Sequence, residues 1–320
     1  MMRPSMWLPL LLAFAAAAGA QSYPTKPIRL IVPYTPGGDT DTVARLIASK
    51  LSGALKQQVI VENRPGAGSL IGTEAMLRAP ADGYTLAMGT ISSLAVLPVT
   101  KVNAPYDPLQ DIAPIVLATM VPYVLHVHPS IPARSVAELV KLARARPGQL
   151  TYGTPGIATG IHLTTEYFSS VAGVKLVHVP YKGSSSVVVD LIAGNISCAF
   201  STFSTTRQHL RSGRLRALAI AANTRSKDFP GVPTMAEAGF QGFAAATWHG
   251  VVARAETPAE IVARLNAEIA RILKSGDVNS TLVTAGFDVG GGSAEDFKRF
   301  VVSEIEKWKK VATVAQVRLD

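Results

Sequence analysis

The stretch Val32-Pro33-Tyr34-Thr35-Pro36-Gly37-Gly38-Asp39-Thr40-Asp41 is the part of this 320-residue chain best equipped to hold a ligand. It leaves an apolar β-branched run, turns through Pro-Gly-Gly and enters a segment of helical period. Glycines lack Cβ, so successive backbone N–H groups can converge on a bound group. The helix that follows adds unpaired N-terminal amides and the positive end of its dipole. Such a junction suits a carboxylate or phosphate. Taken alone, it fits an ordinary tight strand-to-helix turn capped by Thr40 or Asp41 equally well. A second junction of the same kind, Tyr152-Gly153-Thr154-Pro155-Gly156-Ile157-Ala158-Thr159, precedes a helix bearing His162. Two such sites in different halves of the chain can face each other across a cleft. The loops Gly89-Thr90-Ile91-Ser92 and Tyr181-Lys182-Gly183-Ser184 carry glycines and hydroxyls suited to lining the same space.

Other chemistry finds less support. The run Gly66-Ala67-Gly68-Ser69-Leu70-Ile71-Gly72 resembles a dinucleotide loop, but its spacing is GxGxxxG and Arg64-Pro65 interrupts the turn. A structural glycine turn is the better reading. His126 and His128 share a strand face without a third ligand at helpful spacing, and His178 and His249 lie in strands. No metal or cofactor is expected. The sequence has no GxSxG, HExxH, CxxC or GxxxxGK[ST], so nothing assembles an enzyme.

These candidates must be positioned by the elements around them. Ile28 to Val32, Val59 to Glu62 and Tyr84 to Met88 read as strands. Thr42 to Leu55, with Val43, Ile47, Leu51 and Leu55 on one face, and Leu70 to Arg78 read as helices. Strands separated by helices of this length imply parallel βαβ units. The grammar restarts with Tyr123 to Val127, Ser135 to Arg144, Leu150 to Tyr152 and a helix near Ile161 to Val171. Leu176 to Val179, Val187 to Ile192, Ile196 to Phe200 and Leu215 to Ala221 continue it. Two long helices close the chain, Pro258 to Leu273 and Ala294 to Val314, the second with Ser293 and Asp296 at capping-box spacing.

The N-terminus sets the compartment. Arg3, the apolar stretch Trp7 to Ala18 and the small residues Ala18-Gly19-Ala20 before Gln21 have the order of a cleavable signal peptide over residues 1–20. The apolar run is short for ~30 Å of hydrocarbon. About 300 residues remain, more than one core usually serves, so two lobes are expected. Cys198 is the only cysteine, so no internal disulfide supports the fold. The formal charge is +9, or +8 once Arg3 is removed. Its Lys and Arg are scattered along helices without aromatic interleaving. Attraction of small anions fits better than nucleic acid.

Taken together, the segments resemble a known family. Tyr23-Pro24 with Lys26-Pro27-Ile28-Arg29, then Pro36-Gly37-Gly38 with Thr40-Asp41, resembles the start of mature Bug-type receptors, the substrate-binding proteins of tripartite tricarboxylate transporters. Further matching runs are Val61 to Gly68, Asp82 to Leu86, Pro105 to Pro108, His178 to Gly183, Arg216 to Ala219 and Val232 to Thr234.

The resemblance implies an α/β, type II periplasmic-binding-protein fold: two doubly wound lobes joined by two crossover strands, with a ligand cleft between them. The expected lobes are residues 21–123 with 248–320, and 124–247, with crossings near Val121 to Val127 and near Thr247 to Val252. It implies capture of a small organic carboxylate, partly through backbone amides and ordered waters. The loops above supply the expected ligand-binding residues: Tyr34, Thr35, Pro36, Gly37, Gly38 and Asp41; Gly89, Thr90 and Ser92; Thr154, Pro155, Gly156, Thr159 and His162; Tyr181, Gly183, Ser184 and Ser201. It further implies a periplasmic monomer that hands its solute to membrane permease subunits. A sensor presenting its ligand to a membrane kinase would use the same pocket. Two departures bear on the ligand. Asp39 stands where the family usually has a small or hydroxyl residue, and is expected to face solvent or cap the helix. Ser201 stands where many relatives have an Asp, so the expected ligand is a plain mono- or dicarboxylate without a cationic group.

Overall fold

The structure is a computed structural model and describes residues 23–101 and 103–315, so the expected signal peptide lies outside the described residues. In chain order the elements are β1 (Ile28–Val32), α1 (Asp39–Leu55), β2 (Val59–Asn63), α2 (Leu70–Leu77), β3 (Thr85–Thr90), α3 (Leu97–Thr100) and β4 (Ile112–Pro122). There follow β5 (Val124–Val127), α4 (Val136–Ala145), β6 (Thr151–Thr154), α5 (Gly160–Ala172), β7 (Val177–Pro180), α6 (Ser184–Ala193), β8 (Cys198–Ser201), α7 (Phe203–Arg211) and β9 (Arg216–Ile220). The chain closes with β10 (Ala246–Arg254), α8 (Ala259–Lys274), α9 (Gly276–Ala285), β11 (Asp288–Gly291) and α10 (Ala294–Ala315).

The strands form two sheets, β11-β4-β10-β3-β1-β2 and β7-β6-β8-β5-β9. β1 pairs in parallel with β2 and β3, and β6 with β7 and β8, as βαβ units require. β10 enters antiparallel between β3 and β4, and β5 enters antiparallel between β8 and β9. Both sheets are therefore mixed, and the antiparallel members flank the passages between them.

Those passages meet at Tyr123. Its N–H donates to the Ala245 carbonyl (3.0 Å), its carbonyl accepts from Ala221 N–H (2.8 Å), and Ala245 N–H donates to the Ala221 carbonyl (3.0 Å). β10 pairs within the first sheet from Ala246 onward. The second passage thus lies just ahead of the Thr247 to Val252 stretch expected to cross, because those residues are already committed to ladder bonds.

One apolar cluster packs α1 and α8 against the first sheet, with Leu30, Ile47, Leu51, Val116, Ile269 and Leu273 inside. A second runs from Ile31 and Met76 through Tyr123 and Leu125 to Phe168 and Phe200, and so continues through the passage into the other half. Each large side chain buried in full contributes roughly 1.5–3 kcal/mol. The hinge side, where the chain passes between the halves, is thus held by packing. α10 adds to the hinge side. Its start carries the capping box, with Ser293 N–H bonded to Asp296 Oδ2 (2.9 Å) and Asp296 N–H to Ser293 Oγ (3.1 Å). Further along, the buried Glu304 Oε2 accepts from the indoles of Trp248 (2.9 Å) and Trp308 (3.0 Å).

Candidate functional site

The β1–α1 junction is fastened by Asp41. Its Oδ2 accepts from Gly37 N–H (3.0 Å) and Arg45 Nε (2.9 Å), and its Oδ1 accepts from Asn63 Nδ2 (2.9 Å), which also donates to the Tyr34 carbonyl (3.0 Å). Burial pushes the Asp41 carboxyl up, but the bonds from Arg45, Gly37 and Asn63 outweigh it and hold the group below the usual carboxylate range. Asp41 thus belongs to the turn.

Asp39 departs from expectation. It does not face solvent: it is buried, and its carboxylate reaches across the cleft to accept from Thr202 Oγ1 (2.7 Å) and Ser204 Oγ (2.5 Å). Burial pushes this carboxyl up, and the bonds from Ser204 and Thr202 offset only part of the rise. The predicted cost of burying a charge is met by hydroxyls from the other half of the chain, a partnership that local sequence does not reveal.

The β6–α5 junction is built differently. Thr159 is the N-cap of α5, with Oγ1 accepting from His162 N–H (3.2 Å) and donating to the Gly156 carbonyl (2.7 Å). Thr154 Oγ1 also donates to the Gly156 carbonyl (3.1 Å) and lies 2.6 Å from His178 Nε2. His162 stacks on His178 with centroids 4.3 Å apart, and burial lowers both imidazoles to about 4, so both are neutral. Gly160 N–H donates to Ser92 Oγ of the other half (3.2 Å). Only glycine allows that approach, since a Cβ on residue 160 would stand 2.7 Å from both Ile91 Cγ2 and Tyr123 OH.

At the β7–α6 junction Gly183 brings the backbone against Thr35, where a Cβ would meet Thr35 Oγ1 at 2.1 Å. Ser185 Oγ donates to the Pro36 carbonyl (3.2 Å) and lies 3.3 Å from Thr35 Oγ1. Tyr181 turns away, its hydroxyl donating to Asp190 Oδ2 (2.6 Å).

These junctions close on a confined cavity of about 40 Å³. Of the expected residues, Tyr34, Gly38, Asp41, Ser92, Pro155, Thr159, Ser184 and Ser201 line it. Thr35, Pro36 and Gly183 sit at the contact between the two halves, beside the cavity. Gly37 borders an outer groove, and Thr90 stands behind the cavity, 3.4 Å from the Tyr34 hydroxyl. Gly89 lies within β3 against Leu94 and Val252. Thr154, Gly156, His162 and Tyr181 shape or back the loops without lining the space.

Asp39, Thr40, Tyr123, Gly160, Ile161, Thr202, Thr247 and His249, none of them among the expected ligand-binding residues, also line the cavity. The signal for three of them was the crossings, since the spans proposed for these contain Tyr123, Thr247 and His249. His249 Nδ1 lies 2.9 Å from Thr119 Oγ1, and burial lowers its imidazole to about 3.

Among the described residues, no Lys or Arg lines the cavity and no group of three or more His, Cys, Asp or Glu gathers to hold a metal. Helix starts border it instead. Gly38 and Asp39 begin α1, Thr159 and Gly160 begin α5, Ser184 begins α6, and Thr202 is the N-cap of α7. Four helix N-termini converge on one space, an arrangement suited to an anion.

A family model described as "Tripartite tricarboxylate transporter family receptor" matches residues 43–316. The chain is 38% identical over 306 residues to the protein BugT of Bordetella pertussis, covering 95% of this chain and 94% of that one. Among solved structures it is similar to R. palustris Rpa4515 with adipate, at 38% identity and TM-score 0.89, covering 92% of this chain and 99% of the other. It is also similar to MatC (Rpa3494) from Rhodopseudomonas palustris with bound malate, at 29% identity and TM-score 0.87, covering 90% and 99%.

Proposed function

The chain belongs to the tripartite tricarboxylate transporter receptor family, and from that premise we propose that it is a periplasmic solute-binding protein that captures a small organic carboxylate and presents it to membrane permease subunits. The solute is held between the two lobes, in a monomer, without chemical change. The observation that carries this reading is the convergence of four helix N-termini on a cavity that no Lys or Arg lines among the described residues. Backbone amides fixed in such an array hold a carboxylate without a cationic partner. The adipate and malate bound by the two similar structures support a carboxylate as the class.

Calorimetric titration of the mature protein with carboxylic acids and their primary amides tests the reading. The acids are expected to bind at least about tenfold more tightly than amides of the same skeleton, because the carboxylate makes charge-assisted bonds. Equal binding by amides would sink the anion assignment. Recovery of altered ligand after prolonged incubation would overturn the non-enzymatic role.

A further inference from the structure

We infer that Asp39 is a built-in anion that sets the charge of the ligand, so that the cavity accepts a solute with one carboxylate and rejects one that brings a second. The inference rests on the carboxylate-capturing reading and narrows it. Asp39 is 9% exposed, lines the cavity and points its carboxylate at hydroxyls of the opposite lobe. Its charge has no cationic match there, since no Lys or Arg lines the cavity among the described residues. Asp41, two residues on, is answered by Arg45 at 2.9 Å and is electrically closed.

The helix starts divide the same way. The first turn of α1 already holds Asp39 and Asp41. The first turns of α5, α6 and α7 hold no acidic residue. Asp41 therefore fills the α1 start, and the Asp39 carboxylate lies on hydroxyls at the α7 start, which leaves the α5 and α6 starts open to a carboxylate from outside. A diacid would bring two charges to a confined space that already contains one. Like charges at such separations repel strongly where water is scarce. The end of the ligand nearest Asp39 is better served by a hydroxyl or other donor, since a carboxylate oxygen accepts more than one hydrogen bond.

The test measures affinity for matched pairs, hexanoate against adipate and butyrate against succinate, by calorimetry at pH 8. Wild type is expected to favour the monoacid of each pair by about tenfold or more. Asp39→Asn, which keeps the shape and removes the charge, is expected to abolish or reverse that preference. The double variant Thr202→Val/Ser204→Ala removes the partners but keeps the charge, and is expected to retain the preference whatever it costs in overall affinity. A wild type that binds diacids as tightly as monoacids, or an Asp39→Asn variant with an unchanged ratio, overturns the inference while leaving carboxylate capture standing. Loss of the preference in the double variant also overturns it, by assigning the effect to the contact and not to the charge. Failure of every acid to bind either wild type or variant brings down carboxylate capture, and this inference with it.

Discussion

The β1–α1 and β6–α5 junctions carry the same local pattern, a strand, a Pro-Gly turn and a helix start, yet the fold uses them in opposite ways. At β1–α1 the chain supplies its own anions: Asp41 closes the turn through Gly37, Arg45 and Asn63, and Asp39 crosses the cleft. At β6–α5 a neutral hydroxyl, Thr159, caps the helix, and no acid follows it in the first turn. Behind α1 lies a charged cluster, whereas behind α5 lies a stack of neutral rings, His162 on His178 on Tyr152. The same motif therefore makes a self-satisfied end on one side of the cavity and an end open to an external anion on the other.

The comparison breaks most sharply at Gly160. A Gly160→Val side chain would collide with Ile91 and the Tyr123 hydroxyl, and overpacking of this kind costs about 1–3 kcal/mol. If the close approach at α5 is what shapes the binding end, ligand affinity falls roughly 10- to 100-fold, read by calorimetry. Unchanged affinity would show that the α5 end does not serve the ligand.

Acidification should separate the two junctions. The folded state holds His162 and His178 near pKa 4, below the ordinary value of 6.5. Their stabilising contribution is complete above pH 6.5 and is lost as pH falls toward 4, at up to about 1 kcal/mol per pH unit for the more buried His162. Asp41 is also depressed, so its contribution is present above the ordinary carboxylate range and is lost only as pH falls below that range. Hydrogen exchange stepped from pH 7 to 4.5 should show the start of α5 loosening before the start of α1. The reverse order would contradict the division into neutral and charged supports.

The smallest effects come from the caps. Asp41→Ala removes three charge-assisted hydrogen bonds and is expected to cost about 2 kcal/mol. Thr159→Ala removes a single cap bond and is expected to cost about 1 kcal/mol. Chemical denaturation gives both values, and an equal or larger loss at Thr159 would erase the contrast between the two starts.

Much of this architecture was legible in the sequence. The strand Ile28–Val32 and the helix starting at Ala294 have the expected limits or start, and the Ser293–Asp296 box forms as its spacing implies. The eleven-residue β4, whose buried residues fall partly in adjacent pairs, lacks a clean alternation and escaped notice. So did α7, α9 and the short β11, whose pattern is too brief to stand out. The glycine loops were found as loops, but only eight of the eighteen expected residues line the cavity: Tyr34, Gly38, Asp41, Ser92, Pro155, Thr159, Ser184 and Ser201. Gly89 lies inside β3, and Thr154 and Tyr181 turn elsewhere, because side chains in a strand or turn alternate in direction and their neighbours decide which way is filled.

The sequence by itself determined what depends on neighbours along the chain: the period of strands and helices, the caps, the glycine turns and the family resemblance. Those follow from steric limits and hydrogen bonds that span only a few residues. Only the tertiary structure decided where Asp39 points. Its partners Thr202 and Ser204 are 163 and 165 residues away, and a buried carboxylate becomes tolerable only when folding brings such donors to it. The same is true of the cavity, which no single helix start makes and which arises because four of them were carried to one place.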